Sequence, residues 1–265
     1  MSFLRAAGHR LEFEWFGPGP ERAPTLVFLH EGLGSVTMWR SFPKKLADQT
    51  GSGALVYSRL GHGRSDPLEG SHDVSFMHEE ARVVLPEVLR ACEVENPILV
   101  GHSDGASIAL IYAGARIGPV TGLVLEAPHV FVEDLSIASI AAMKARFAAT
   151  DLSEKLARHH GANTEQMFRG WNDVWLQPEF RDWNIEEYLA HIAAPVLLIQ
   201  GLDDQYGTVK QIEAIAAQVR GPVETVLLSE CRHSPHLEQQ AQALEAASRF
   251  IRGLRPPGPA LAPPA

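Results

Sequence analysis

The sequence predicts an α/β fold, a mostly parallel central sheet flanked by helices, and three observations predict it. Short, largely apolar runs of strand length recur at residues 25–29, 98–100 and 195–200, the signature of strands buried on both faces of a parallel sheet. Stretches of helical length and pattern alternate with them. Finally, Gly101-His102-Ser103-Asp104-Gly105 joins the second run directly to residues 106–112, which are apolar nearly all round, as a buried helix would be. The chain has 265 residues, 45% hydrophobic and 21% charged, ordinary for a globular protein and long enough for one large α/β domain carrying an insertion.

Taken in order, residues 11–16 alternate apolar side chains with Glu12 and Glu14, the pattern of a half-exposed edge strand. Gly17-Pro18-Gly19-Pro20 breaks it. Residues 25–29 read as a central strand running into His30-Glu31-Gly32-Leu33-Gly34-Ser35, a glycine-rich loop able to turn backbone N–H groups inward. A strand at 54–58 leads into the loop Arg59-Leu60-Gly61-His62-Gly63-Arg64-Ser65-Asp66. Residues 76–92 carry a helical pattern that Pro86 must kink or divide. Strands at 98–100 and 120–126 enclose the helix at 106–112.

Between 129 and 192 no strand-like run occurs, and helices are expected at 133–149, 153–160, 164–176 and 185–191. Trp171, Trp175 and Trp183 fall here, with Phe131, Phe168 and Phe180. A helical insertion between two sheet strands reads as a lid over the active end of the sheet, its aromatics lining an apolar pocket. Any one tryptophan is more simply read as glue between lid and core. A strand at 195–200 ends in Gly201-Leu202-Asp203-Asp204, a helix follows at 211–219, and the last strand is 224–228. Cys231-Arg232-His233-Ser234-Pro235-His236 then enters a helix, with Ser234 placed to cap it, Pro235 at its first position, and Leu237, Ala241, Leu244 and Ile251 as its apolar stripe. Residues 253–265, rich in proline and alanine, read as a disordered tail. The organisation expected is a core at 1–128 and 193–252, a helical cap at 129–192, and the tail.

The chemistry centres on Ser103. Gly-x-Ser-x-Gly between a strand and a helix is the pattern of a nucleophile elbow, a sharp turn that lifts a serine hydroxyl above the sheet. Its glycines must be small because neighbouring backbone passes close by. The N–H of Asp104 then faces the place where an oxyanion would form. A serine hydroxyl is a weak nucleophile and needs an adjacent base.

Strands alternating with helices, a serine at a strand end, then an acid and a histidine after two later strands resemble the α/β-hydrolase fold family. The resemblance covers residues 11–252, and its local matches are His30-Glu31-Gly32-Leu33-Gly34, Gly61-His62-Gly63-Arg64-Ser65, Gly101-His102-Ser103-Asp104-Gly105, Gly201-Leu202-Asp203-Asp204 and His233-Ser234-Pro235-His236-Leu237-Glu238. The resemblance implies an α/β-hydrolase fold with a helical cap inserted after the sixth strand. It implies a catalytic triad of Ser103, Asp204 and His233, and an oxyanion hole from the N–H groups of Gly32 and Asp104. It favours Asp204 over Asp203, three residues after Gly201, and His233 over His236, which would lie one turn into the helix. His102 is expected to pack with its side chain turned away, His30 and His62 to brace loops, and Cys231 to be a small buried residue. Two departures stand out. Glu31 follows His30 where the family usually has glycine, and would repel anionic substrates if it points inward. Arg232 precedes His233 where glycine is frequent.

The expected activity is a serine hydrolase cleaving a small carboxylic ester, lactone or thioester with an apolar group. The alternatives are hydrolytic carbon–carbon cleavage of a vinylogous diketone, for which Arg146, Arg158, Arg169 or Arg181 could hold a carboxylate, and a ligand-sensing protein with a slow triad. A dehalogenase would need a carboxylate at Ser103. His159-His160 and His233-x-x-His236 lack the carboxylate pattern of a zinc protease, so no metal and no cofactor are expected. A net charge of −9 disfavours nucleic acid as a partner. Cys92 and Cys231 do not make a secreted disulfide framework. Residues 1–9 lack a signal-peptide core, and no run approaches a membrane span. The expectation is a cytoplasmic protein with a small-molecule substrate and no membrane partner, a monomer or a homodimer.

Overall fold

A computed structural model describes residues 2–254. Eight strands form one sheet in the order β1-β2-β4-β3-β5-β6-β7-β8. They are Ser2–Ala6 (β1), His9–Phe16 (β2), Thr25–Leu29 (β3), Gly53–Tyr57 (β4), Ile98–His102 (β5), Gly122–Glu126 (β6), Val196–Gly201 (β7) and Val223–Leu228 (β8). β2 runs antiparallel to β1 and β4, and every other neighbouring pair is parallel. The helices are Phe42–Thr50 (α1), Phe76–Glu79 (α2), Leu85–Ala91 (α3), Asp104–Gly114 (α4), Asp134–Ala149 (α5), Leu152–His160 (α6), Thr164–Trp175 (α7), Val209–Gln218 (α8), Pro235–Glu238 (α9) and Gln240–Gly253 (α10).

The period of two along each strand divides the interior into two cores. Val27, Leu55, Leu99, Leu123 and Leu198 face one side, against α4 and the helix of residues 76–91. Leu26, Val56, Val100, Val124 and Ile199 face the other, against α1 and α10. This is why β3 to β7 read as continuous apolar runs: both faces are covered. α4 is buried along almost its whole length, as its all-round apolarity requires.

Several expectations need correction. β1 was not legible, because only Leu4 and Ala6 of its five residues are buried. With it in place β2 is an interior strand, not an edge, and Glu12 is buried rather than exposed. Its carboxylate accepts from Ser58 Oγ at 3.0 Å and from the Arg64 N–H at 2.9 Å. Pro86 divides the expected helix: a π-helical turn, Glu80–Val84, precedes it, which accommodates the missing N–H of proline. Residues 186–191 form a 3-10 stretch, not a regular helix, and a second one covers Pro178–Asp182. Ser234 does not cap α9 with its side chain; the Glu238 carboxylate reaches back to the N–H groups of Arg232 (2.8 Å) and Ser234 (3.3 Å). A break at Gln239 turns α10 so that Ala243, Leu244, Ala247 and Ile251 are buried while Leu237 and Ala241 are exposed. Gly253 closes α10 and Leu254 packs over Gly122. The rest of the tail expected at 253–265 lies outside the described residues.

Between β6 and β7 the chain is helical, α5 to α7 with the 3-10 stretches. An isolated antiparallel bridge joins Phe131 to Asn184, and the Ile185 N–H donates to Val130 O at 2.8 Å, so the entry and exit of this segment are pinned together. No helix among the described residues is long and apolar enough to cross a membrane.

Candidate active site

β5 delivers Ser103 to the carboxyl edge of the sheet on a strained turn, with φ 52° and ψ −120°. That is a positive-φ conformation costly for any residue with a Cβ, and it is held by the strand and helix on either side. A Cβ at Gly101 would come within 2.6 Å of the Ala106 backbone, and one at Gly105 within 1.9 Å of the Leu29 carbonyl oxygen. The crossing is therefore possible only with glycine at both positions.

Asp204 and His233 arrive from the loops after β7 and β8. His233 Nδ1 lies 2.9 Å from Asp204 Oδ1 and 2.8 Å from Oδ2. The carboxylate also accepts from Gln200 Nε2 at 2.8 Å and from the Tyr206 N–H at 2.7 Å. Burial works against its charge, but the His233 ring and these donors outweigh it and hold its pKa down at about 2. Asp203 is exposed and takes no part. With Nδ1 committed to Asp204, the other ring nitrogen of His233 has no hydrogen-bond partner among the described residues, and His233 and Ser103 border the same cavity.

That cavity has a volume of about 270 Å³ and is lined by Ser103, His233, Gly32, Asp104 and His102 at its floor. Ile140, Met143, Leu152, Leu156, Trp171 and Trp175 from the β6–β7 segment, with Leu33 and Met38, make most of its wall apolar. Of the six aromatics singled out, Trp171 and Trp175 reach it, whereas Phe180 and Trp183 stack on one another with centroids 5.5 Å apart. Arg146, Arg158, Arg169 and Arg181 are absent from its lining. Arg169 pairs with Glu165, and Arg181 with Asp134. A larger open depression of about 950 Å³ lies at the other end of the strands, against Thr25, Ile98 and Thr121, and none of the predicted catalytic residues borders it.

The two amides expected to hold an oxyanion, those of Gly32 and Asp104, donate to no loop or turn carbonyl among the described residues. The Glu31 carbonyl is gripped from behind by His30 Nδ1–H at 2.7 Å and Arg59 Nη2–H at 2.9 Å. In a trans peptide the Gly32 N–H must then point the opposite way. Gly32 has no room for a Cβ, which would sit 2.0 Å from the Trp171 ring. His62 Nε2–H donates to Gly32 O at 3.0 Å. His30 and His62 are thus loop braces, as the sequence suggests.

Sequence reasoning missed three participants. Arg59 is buried, braces Glu31 and lies 3.9 Å from Asp104 Oδ2; only the position of its loop at a strand end could have flagged it. Burial raises the Asp104 carboxyl to about 6, against the opposing pull of Arg59. His129 borders the cavity with its ring 5.8 Å from that of His233, and burial lowers it to about 4. His102 was expected to point away and merely pack. Instead its Nε2–H donates to the His233 carbonyl at 2.7 Å and its Nδ1 faces the Glu31 carboxylate. Cys231 is fully buried beside the loop, and burial raises its thiol to about 12, which disfavours the thiolate.

A family model described as the alpha/beta hydrolase family matches residues 26–247. The sn-1-specific diacylglycerol lipase ABHD11 of Mus musculus is 34% identical over 108 residues, 40% of this chain and 33% of that protein. The chain therefore spans about a third of the length of that curated relative. A proline iminopeptidase of Saccharolobus solfataricus is 24% identical over 85% of this chain and 84% of its own. Among solved structures, the enol-lactonase from Burkholderia xenovorans LB400 superposes with a TM-score of 0.74, at 16% identity, over 94% of this chain and 99% of that one. At that identity the likeness is one of fold.

Proposed function

Since this chain belongs to the alpha/beta hydrolase family, we propose that it is a serine hydrolase acting on a small carboxylic ester, lactone or thioester with an apolar acyl or alkyl group. One observation carries the reading. Ser103, on a strained elbow, borders the same small apolar cavity as His233, whose far nitrogen is anchored by Asp204. The helices between β6 and β7 act as the cap, supplying most of the apolar wall.

The chemistry follows from the groups present. His233 takes the Ser103 proton as Oγ attacks the carbonyl carbon, and Asp204 stabilises the imidazolium that forms. The N–H groups of Gly32 and Asp104 hold the tetrahedral oxyanion, each contributing about 3 kcal/mol in the transition state. His233 returns the proton to the departing alcohol or thiol, leaving an acyl ester on Ser103. Water, deprotonated by His233, then attacks that ester, and collapse releases the acid and the serine hydroxyl. A cavity of about 270 Å³ suits a short chain or a single small ring. Its lining has no lysine or arginine to receive an anionic substrate group, which favours ester chemistry over the carboxylate-clamped carbon–carbon reaction.

The test is release of p-nitrophenol from short-chain esters by the wild type and by Ser103→Ala. The expected result is turnover that the substitution abolishes. Activity that survives it removes Ser103 from the mechanism. A wild type inert to esters but active on a vinylogous diketone supports the carbon–carbon alternative, and stoichiometric binding without turnover supports the sensor.

A further inference from the structure

Three loops that meet at the cavity share one buried ring. His102 ends β5 next to Ser103 and is 1% exposed. Its Nε2–H donates to the carbonyl oxygen of His233 at 2.7 Å. Its Nδ1 lies 3.5 Å from Glu31 Oε2, an ion-pair distance longer than a good hydrogen bond. A carbonyl oxygen can only accept, so Nε2 carries a proton. Nδ1 is buried and has no hydrogen-bond partner. Unprotonated, it would turn a lone pair toward a carboxylate; protonated, it finds its counter-charge there. The arrangement is that of an imidazolium beside a carboxylate.

The groups facing this ring come from four directions. Glu31 belongs to the loop after β3, Glu126 to β6, and His129 to the segment after it. The rings of His233 and His236 follow β8, with centroids 5.1 and 4.9 Å away. Burial disfavours the positive charge, yet Glu31 and Glu126 outweigh it and hold His102 up at about 9. Burial likewise disfavours the Glu31 charge, and His102 outweighs it, so that Glu31 stays down at about 2. The carboxylate that departs from the family pattern is thus already engaged by a cation of the protein. Its backbone leads directly into Gly32.

We propose that Glu31 is a positioning residue for the hydrolytic reaction: through the His102 imidazolium it ties the backbone of His233 to the oxyanion loop and to the serine strand. The inference rests on the serine-hydrolase reading of the cavity. It differs from a charge filter for substrates, because a filter acts on KM for charged substrates, whereas a positioning tie acts on kcat for neutral ones. The tie is intact below the pKa of His102 and is lost as pH rises through about 9.

The experiment combines steady-state kinetics on a neutral p-nitrophenyl ester across about pH 5 to 10 with nitrogen-resolved NMR of the His102 ring. In the wild type, both ring nitrogens are protonated at neutral pH, the ring titrates near 9, and kcat declines over the same range. In Glu31→Gln, kcat falls about 10- to 100-fold through lost alignment, with KM changed less than about twofold. The alkaline limb moves about one to three pH units lower as the counter-charge disappears. Glu31→Asp recovers part of both. A kcat and alkaline limb unmoved in Glu31→Gln overturn the inference, as does a neutral His102 ring at neutral pH in the wild type. That second measurement decides the matter if Glu31→Gln does not fold. The ring is also read in Ser103→Ala: turnover surviving that change overturns the serine mechanism and leaves the His102 measurement standing.

Discussion

Two histidine–carboxylate pairs sit a few residues apart, one opening onto the cavity and one sealed beneath it. His233 and Asp204 meet at 2.8 Å, and the His233 ring borders the cavity between Tyr206 and His129, with centroids at 4.7 and 5.8 Å. His236 and Glu126 meet at 2.6 Å, but the His236 ring is packed against Trp39 and Phe42, with centroids at 4.6 and 5.7 Å. Glu126 is fully buried, with one carboxylate oxygen unpartnered. The donor and acceptor types are the same. What differs is whether the second edge of the imidazole can meet a reactant. Pairing alone therefore says nothing about catalysis; access decides.

The largest effect that could break this contrast is on turnover. His233→Ala should lower kcat for ester hydrolysis by about 10⁴- to 10⁶-fold, measured by steady-state assay on the folded fraction. Asp204→Asn should cost about 10⁴-fold by presenting the wrong tautomer. If either retains near-wild-type kcat, the open pair is not the catalytic one. On the sealed pair the same operation should act on stability. His236→Ala should destabilise the fold by about 3–5 kcal/mol, because it leaves Glu126 as an uncompensated buried carboxylate. Urea unfolding reads this, and kcat per folded molecule should stay within a few-fold. A stable His236→Ala enzyme with lost turnover would reverse the assignment.

The pH dependence sharpens the contrast further. Asp204 sits at about 2 in the folded protein against an ordinary 3.8. The stabilisation from that difference is fully present above pH 3.8 and disappears as pH falls through about 2. It amounts to about 2 kcal/mol and should be missing from the acid limb of Asp204→Asn. Asp104 runs the other way. Raised from 3.8 to about 6, it binds its proton more tightly when folded, so its contribution to stability declines as pH rises across that interval. Asp104→Asn should remove that decline. The smallest effect concerns the wall. Leu156→Ala should enlarge the cavity and shift preference toward longer esters by about tenfold per added methylene, read as ratios of kcat/KM.

Much of the site was legible because its residues sit at strand ends. Apolar runs stop abruptly at Gly101, Leu29 and Gly201, and the polar residues that follow are forced to the sheet edge. Asp204 was separated from Asp203 by the family resemblance, which places the acid three residues after Gly201; Asp204 is the one that contacts His233. β1 was not legible because Ser2–Ala6 buries only Leu4 and Ala6, leaves Phe3 exposed beside Ser2 and Arg5, and has no apolar run of strand length. The roles of Arg59, His129 and His102 were not legible either. Their partners lie far along the chain: Glu31 is 28 residues from Arg59, and the His233 carbonyl is 131 from His102.

By itself the sequence determined the alternation of strands and helices, the glycine-bounded serine turn and the order of Ser103, Asp204 and His233 at the ends of successive strands. Those features are written in local periodicity and in residue size, which act over a few neighbouring positions. Only the tertiary structure decided which imidazole opens to the cavity, which carboxylate is spent on holding it, and how much space remains beside Ser103. Packing sets those outcomes, since the β6–β7 segment lays Trp171 against Gly32 and the sheet brings Glu31, His102 and His233 into contact across long stretches of chain. Close-packed interiors leave each buried ring few places to turn, and that constraint is carried by no single stretch of sequence.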